Sequence, residues 1–381
     1  MPADIVVLGG GVGGALTANL LSKRLRSGSA HIRVLDETGV HVYQPGFLYV
    51  ALDKANAGWL SRDLRSLLRD DVELLIDRAV RIDIENGAVH LERAGALRYD
   101  FLVVTTGAQP DWDAVPGLRQ ATHNFYSLIG AERLREALRT FDGGSLVVGV
   151  AGMPYKCPPA PVEFAFMVDD YLRRRKVRDR TRIRFLSPIN RAFTIESASK
   201  LVQPLMEKRG IELETFVNIE TVDPDKQQLT SLEGETFDFD LAVLVPPHVG
   251  ATVVRDSGLG DPGGWLPTDP ATLQLKGSDR VFAIGDATDL PISKSGSTAH
   301  FEAPVVVEQI VAALEGRAPN PAKSRYRGKV TCFLETGRRQ ATILVFDYEH
   351  PPKPPRPSFI WHVAKWLFNR VYWVTVPRGR I

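Results

Sequence analysis

The sequence predicts an α/β protein built from two βαβ-based units and a short C-terminal segment, and three features carry that prediction. The stretch "DIVVLGGGVGGALTANLLSKRL" reads strand, glycine turn, helix, and the strand "HIRVLDE" follows it. That order opens a right-handed βαβ unit. The same plan returns from "SLVVGVAG" through a helix to "RIRFLSP". Past residue 330 the pattern changes to a hairpin, "GKVTCFLETGRRQATILVFDYE", a proline-rich linker, "HPPKPPRP", and an aromatic tail.

Taken in order, residues 1–107 open the first unit. Ser61 to Asp70 is read as a helix, and the turns "ENG" and "RAG" place a small antiparallel meander before the parallel sheet resumes at "YDFLVVTTG". Residues 108–279 form the second unit, with a helix ending "MEKRG" and the strand "DLAVLVPP". "DRVFAIGDA" and the helix "EAPVVVEQIVAALEG" return to the first, so residues 280–330 complete a unit that is split in sequence. Residues 331–381 are the third.

Composition excludes several classes. The chain has 381 residues, 44% hydrophobic and 24% charged, which is ordinary for a globular protein with two or three cores. A formal net charge of +2 offers no field for nucleic acid. The basic run Arg173–Lys176 reads as the solvated last turn of a helix. No apolar run reaches the ~18 residues that span a bilayer. The opening "MPADIVVLGG" has no basic stretch or cleavage site, so the expectation is a cytoplasmic protein without a secretory signal. Two cysteines, in no zinc-like spacing, are bystanders or chemistry.

Gly9, Gly11 and Gly14 follow a strand and open a helix, so backbone amides and the helix N-terminus can face a pyrophosphate. Asp36 ends the next strand, 22 residues after Gly14, where a carboxylate accepts ribose hydroxyls. The first unit is therefore expected to bind a dinucleotide. The matching turn of the second unit has only Gly149 and Gly152, then Pro154, Cys157, Pro158, Pro159 and Pro161. Proline has no N–H to offer a phosphate, so the second site reads as lost.

That turn suits a reactive thiol instead. A helix expected to start near Pro161 points its positive end at Cys157, and Lys156 adjoins it, so a lowered thiol pKa is expected. The alternative is a small buried apolar side chain. Cys332 lies 175 residues further on, in a strand of the third unit.

Thr105-Thr106-Gly107 and "RVFAIGDATDL", with Gly285 and Asp286, resemble later motifs of two-domain flavoprotein disulfide reductases. That resemblance implies a disulfide-reductase-like fold of two Rossmann-like domains, in which the first loop holds FAD and Asp286 its ribityl chain. "PYKCPPAPVE" and "CFLETG" narrow it: across nearly the whole chain the sequence resembles the sulfide:quinone oxidoreductases and the flavoprotein subunit of flavocytochrome c sulfide dehydrogenase. The resemblance implies that Cys157 and Cys332 flank the flavin as a redox pair. It also implies an acid–base role for Glu163, six residues after Cys157, although a carboxylate in a helix's first turn is favoured by the dipole alone. "PISKSGSTAH" looks like the family's lysine–glycine turn, with Lys294 facing flavin or quinone or else lying on the surface, and His300 a weaker candidate. There are departures: no third cysteine, no cysteine in "VHVYQPGF" and no histidine in "RAFTIESASK". FAD is accordingly expected to be non-covalent.

The tail "SFIWHVAKWLFNRVYWVTVPRGRI" is too short and too interrupted to span a membrane. Its aromatics with scattered Lys365, Arg370, Arg378 and Arg380 suit a helix lying in the headgroup region with its cations snorkelling, or else a helix packed on the core or on another subunit. Together these readings imply sulfide as donor, membrane quinone as acceptor, and a monotopic protein on the cytoplasmic side of the inner membrane. A homo-oligomer stays open. The rival readings are a flavocytochrome-type subunit, a type II NADH:quinone oxidoreductase and a redox-sensing flavoprotein.

Overall fold

The structure, a computed structural model, describes residues 2–380. In chain order the elements that position the site are β1 (Ala3–Leu8), α1 (Val12–Arg24), β2 (Ala30–Asp36), α2 (Phe47–Ala51), β3 (Val72–Ile76), β4 (Phe101–Val104), α3 (Leu128–Thr140) and β5 (Gly144–Val150). After these come α4 (Ala160–Arg174), β6 (Thr181–Ser187), α5 (Glu196–Lys208), β7 (Ile211–Thr215), β8 (Leu241–Val245), β9 (Val281–Ala283) and α6 (Gly296–Leu314). The chain closes with β10 (Val330–Gly337), β11 (Gln340–Phe346) and α7 (Phe359–Val371).

Two all-parallel sheets organise the chain. The first runs β9-β4-β1-β2-β3, so Val281–Ala283 does return beside β4. The second runs β7-β6-β5-β8. Each half also carries a three-stranded antiparallel meander, at 79–98 and at 219–238. The central strands are apolar throughout because both faces are covered; Ile5, Val6 and Val7 have no exposure at all.

The largest core does more than fill the second sheet. Leu146, Val148 and Phe164 continue into Tyr43, Phe47, Leu334, Leu344, Tyr372 and Trp373, with both cysteines at its margin. The C-terminal hairpin and α7 are therefore packed against α4 and α2 as part of one interior. The hairpin of β10 and β11 is antiparallel, as the sequence predicts.

Some expectations fail here. Ser61–Asp70 is not a helix: Ser61–Asp63 is a strand paired with Val40–Val42, and Leu64–Leu67 forms one 3₁₀ turn capped by Asp63. A partner some twenty residues upstream decides that stretch, which is why local pattern misreads it. The tail is also divided. Tyr372 and Trp373 are buried against His41 and Tyr43, and Lys365 is buried rather than snorkelling. The exposed face of α7 is Phe359, Ile360, Val363, Trp366 and Leu367. No helix among the described residues is long and apolar enough to cross a membrane.

Candidate active site

The first glycine turn is tight. A Cβ on Gly14 would lie 1.8 Å from the Gly9 carbonyl oxygen, while one on Gly11 would meet nothing within 4 Å. Gly14 is needed for the close turn and Gly11 leaves room outside it, the shape a pyrophosphate needs at a helix N-terminus. Asp36 accepts the amides of Gly10 at 2.8 Å, Thr38 at 2.9 Å and Gly39 at 2.8 Å, which fixes the carboxylate at the end of β2. Near the ends of β4 and β9 the Thr106 Oγ1 and Asp286 Oδ1 atoms are buried without a hydrogen-bond partner. Buried polar atoms are normally satisfied, so these orphans, with Gly107 and Gly285 in left-handed turns, fit a polar ligand such as FAD along this edge.

Glu302 on α6 supports the same edge. It has no exposure, and Oε2 accepts the Gly285 amide at 2.5 Å. Burial pushes its carboxyl up to about 8, with Asp286 adding to the rise against the Gly285 hydrogen bond. The folded protein therefore keeps a proton that the unfolded chain, at an ordinary 4.5, has released. Stability falls as pH climbs from about 4.5 to about 8 and levels off above. Glu302→Gln should match wild type near pH 5 and melt higher above pH 8; a variant that melts with wild type at both pH values refutes the buried proton.

In the second sheet the corresponding glycine has another task. A Cβ on Gly149 would lie 2.3 Å from the Leu186 carbonyl oxygen, so this residue lets β5 and β6 approach. The turn that follows delivers Cys157 in a left-handed conformation, φ 53°. Side-chain-bearing residues rarely adopt it, and two contacts hold it: the Cys157 amide donates to the Lys294 carbonyl at 2.7 Å, and the Cys157 carbonyl accepts from Ala160 at 2.9 Å. The lysine–glycine turn thus pins the cysteine through its backbone. The Lys294 ammonium donates to the Thr288 carbonyl at 2.5 Å and lies 3.7 Å from the centre of the Trp265 ring, beside Asp286.

Cys332, on β10, comes to the same place. Its neighbour Thr331 donates its amide to Ser297 Oγ at 2.9 Å, and Ser295, the cap of α6, lies near enough to the thiol to favour its ionised form slightly. Both cysteines are free thiols, within electrostatic reach of each other and of Glu163 and Lys365. The expected lowering of the Cys157 pKa is not what this pocket produces. Burial pushes the thiol well up, and Cys332 and Glu163 raise it further; Cys332 is pushed up to about 12, also chiefly by burial. Desolvation outweighs a helix end here. Lys156 does not offset it: its own ammonium is buried, depressed by desolvation, and donates to the Ala108 carbonyl.

Glu163 is 4% exposed in the first turn of α4, and it ion-pairs with Lys365 of α7. Burial pushes the carboxyl up while Lys365 opposes the rise. The Lys365 ammonium, which desolvation alone would lower, is held well above its ordinary value by Glu163, Tyr49 and Glu335. Sequence reasoning missed this partner, and also His248. His248 is 1% exposed, Nδ1 meets the Pro246 carbonyl at 3.0 Å, and Nε2 has no partner. It packs on Tyr126, whose hydroxyl donates to the Lys156 carbonyl. His300 is half-buried on α6, its ring edge-on to Phe301, with the Nδ1 atom itself buried and unpartnered.

A glycine cradle on one parallel sheet, a thiol pair where the second cradle should stand, and orphaned polar atoms between them define an oxidoreductase of the two-dinucleotide-binding-fold class. The chain belongs to the pyridine nucleotide-disulphide oxidoreductase family, whose model matches residues 3–315. It is similar to the mitochondrial sulfide:quinone oxidoreductase of Mus musculus, at 25% identity over 92% of this chain and 79% of the relative. It is equally similar to the sulfide-quinone reductase of Aquifex aeolicus, at 25% identity over 96% of this chain and 88% of the relative. The solved sulfide:quinone oxidoreductase of Aquifex aeolicus shares the fold with a TM-score of 0.88 at 22% identity, covering 100% of this chain and 92% of that one. The protein is a flavin-dependent oxidoreductase related to the sulfide:quinone oxidoreductases.

Proposed function

We propose that this chain is a sulfide:quinone oxidoreductase with non-covalent FAD, peripheral to the cytoplasmic face of the inner membrane. The observation that carries the reading is that Cys157 and Cys332 both lie at the margin of one core, with the buried Glu163 near enough to act on both thiols, at a turn whose glycine serves strand packing. A nicotinamide donor has no phosphate cradle there, which weighs against the NADH:quinone alternative.

The residues divide the work. Gly9, Gly11 and Gly14, with the N-terminus of α1, would hold the pyrophosphate; Asp36 the ribose; Thr106, Gly107, Gly285 and Asp286 the remaining polar edge. Lys294 acts by fixing Asp286 and the Cys157 backbone. Hydrosulfide attacks one sulfur of the oxidised Cys157–Cys332 bridge, the S–S bond breaks, and a persulfide and a thiolate result. Glu163 holds and releases protons beside them. Bound FAD would supply the two-electron path from sulfur to quinone.

The face of α7 formed by Ile360, Val363 and Leu367, flanked by Arg339 over Phe359 and Arg370 over Trp366, supports attachment to a lipid surface. Replacing Ile360 and Leu367 by glutamate should lower co-sedimentation with lipid vesicles about tenfold or more; unchanged binding would move the attachment elsewhere.

The reading is tested anaerobically. Sulfide should bleach the flavin band, a short-chain quinone should restore it, and NADH should do nothing. Bleaching by NADH alone would make Cys157 a bystander. Bleaching by sulfide without recovery by quinone would favour a sensor, and recovery only with a cytochrome would favour the flavocytochrome-type subunit.

A further inference from the structure

The polar side chains behind the thiols continue past Glu163. Glu163 pairs with Lys365. The Lys365 ammonium lies 5.7 Å from the centre of the Tyr49 ring, and the Tyr49 hydroxyl lies 3.5 Å from Glu335 Oε1. Glu335 in turn holds His362 Nδ1 at 3.0 Å from both of its oxygens. The side chain of Glu335 is 6% exposed and that of His362 25%. A line of ionisable groups therefore begins beside the cysteines, crosses from α4 through α2 and β10, and reaches the protein surface at His362 on α7. With Nδ1 taken by Glu335, the other ring nitrogen is left for exchange with water.

We infer that His362 and Glu335 form the proton inlet of this enzyme, supplying the Glu163–Lys365 pair past the Tyr49 ring. The inference rests on the sulfide-to-quinone reading. Hydrosulfide gives zero-valent sulfur, one proton and two electrons; the quinone takes two electrons and two protons. Each turnover thus draws one net proton from water, and that proton must pass the layer formed by Tyr43, Tyr49 and α7. The charged groups facing this line are Glu163, Asp170 and Arg174 on α4, Lys54 just after α2, Glu335 on β10 and Lys365 on α7.

The test uses holoenzyme reduced by dithionite, which removes any need for sulfide, mixed with a short-chain quinone from about pH 5.5 to about pH 9. His362→Ala should slow flavin reoxidation about tenfold or more, change the pH profile, and recover with added imidazole. Glu335→Gln should be slow without imidazole rescue, and the double variant no slower than the worse single one. His350→Asn, at an exposed histidine paired with Asp347, is the control and should leave rate and profile unchanged. A second readout needs no turnover: after a pH jump on the oxidised protein, the infrared carboxyl band should relax more slowly in His362→Ala. Equal rates and profiles in His362→Ala and wild type overturn the inlet, as does a slow variant that imidazole cannot rescue and that melts early. If quinone fails to reoxidise even the wild-type flavin, the functional reading falls, while an infrared relaxation unchanged by His362→Ala would separately refute the inlet.

Discussion

Cys157→Ser is expected to give a protein that keeps its flavin and its melting temperature but is no longer bleached by sulfide, with the rate of flavin reduction down at least ~10³-fold. The substitution is nearly isosteric, and the contacts that hold residue 157 are made by its backbone, to Lys294 and Ala160. What disappears is the sulfur that hydrosulfide attacks. Cys332→Ser should be equally severe in turnover, because an attack on one sulfur needs the other as leaving group. In either variant the remaining thiol is raised by burial and should react slowly with iodoacetamide below about pH 9. A Cys157→Ser protein bleached by sulfide at the wild-type rate would remove the thiol pair from the mechanism.

That raised pKa separates what was legible in the sequence from what was not. A glycine turn after a strand is a local feature, so the cradle at Gly9 to Gly14 could be read directly, as could Cys157 among its prolines and the hairpin bearing Cys332. The electrostatic sign at Cys157 is not local. Helix start and neighbouring lysine point downward in sequence; the protein packed over the thiol by β10 and α7 points upward, and only the fold reveals it. The same holds for Lys365. In a run of aromatics it reads as a snorkelling cation, yet its partner Glu163 lies 202 positions away. Glu335 sits inside "CFLETG", whose signal is its cysteine, and His362 and His248 have no motif to announce them; each takes its meaning from a neighbour on another element.

Lys365→Met should then be the most destabilising single change at the site. It leaves Glu163 buried without its counter-charge, a loss of about 3–5 kcal/mol, or a melting temperature lower by about 6 °C or more. The pH dependence should also change form. In wild type, the folded Lys365 holds its proton more tightly than the unfolded chain does, so that contribution is present at neutral pH and lost as pH rises through the alkaline range. In Lys365→Met, the remaining carboxyl is raised by burial with only the weaker pull of Lys54 to oppose it. The folded state then retains a proton the unfolded chain gives up near an ordinary 4.5, and stability should decline as soon as pH climbs above that value. Glu163→Gln added to Lys365→Met removes the unpaired buried carboxyl, so the double variant should regain most of the lost stability and lose the decline that begins near 4.5. A double variant as unstable as Lys365→Met would mean that Lys365 supports α7 by packing against Tyr49, and that its charge is incidental.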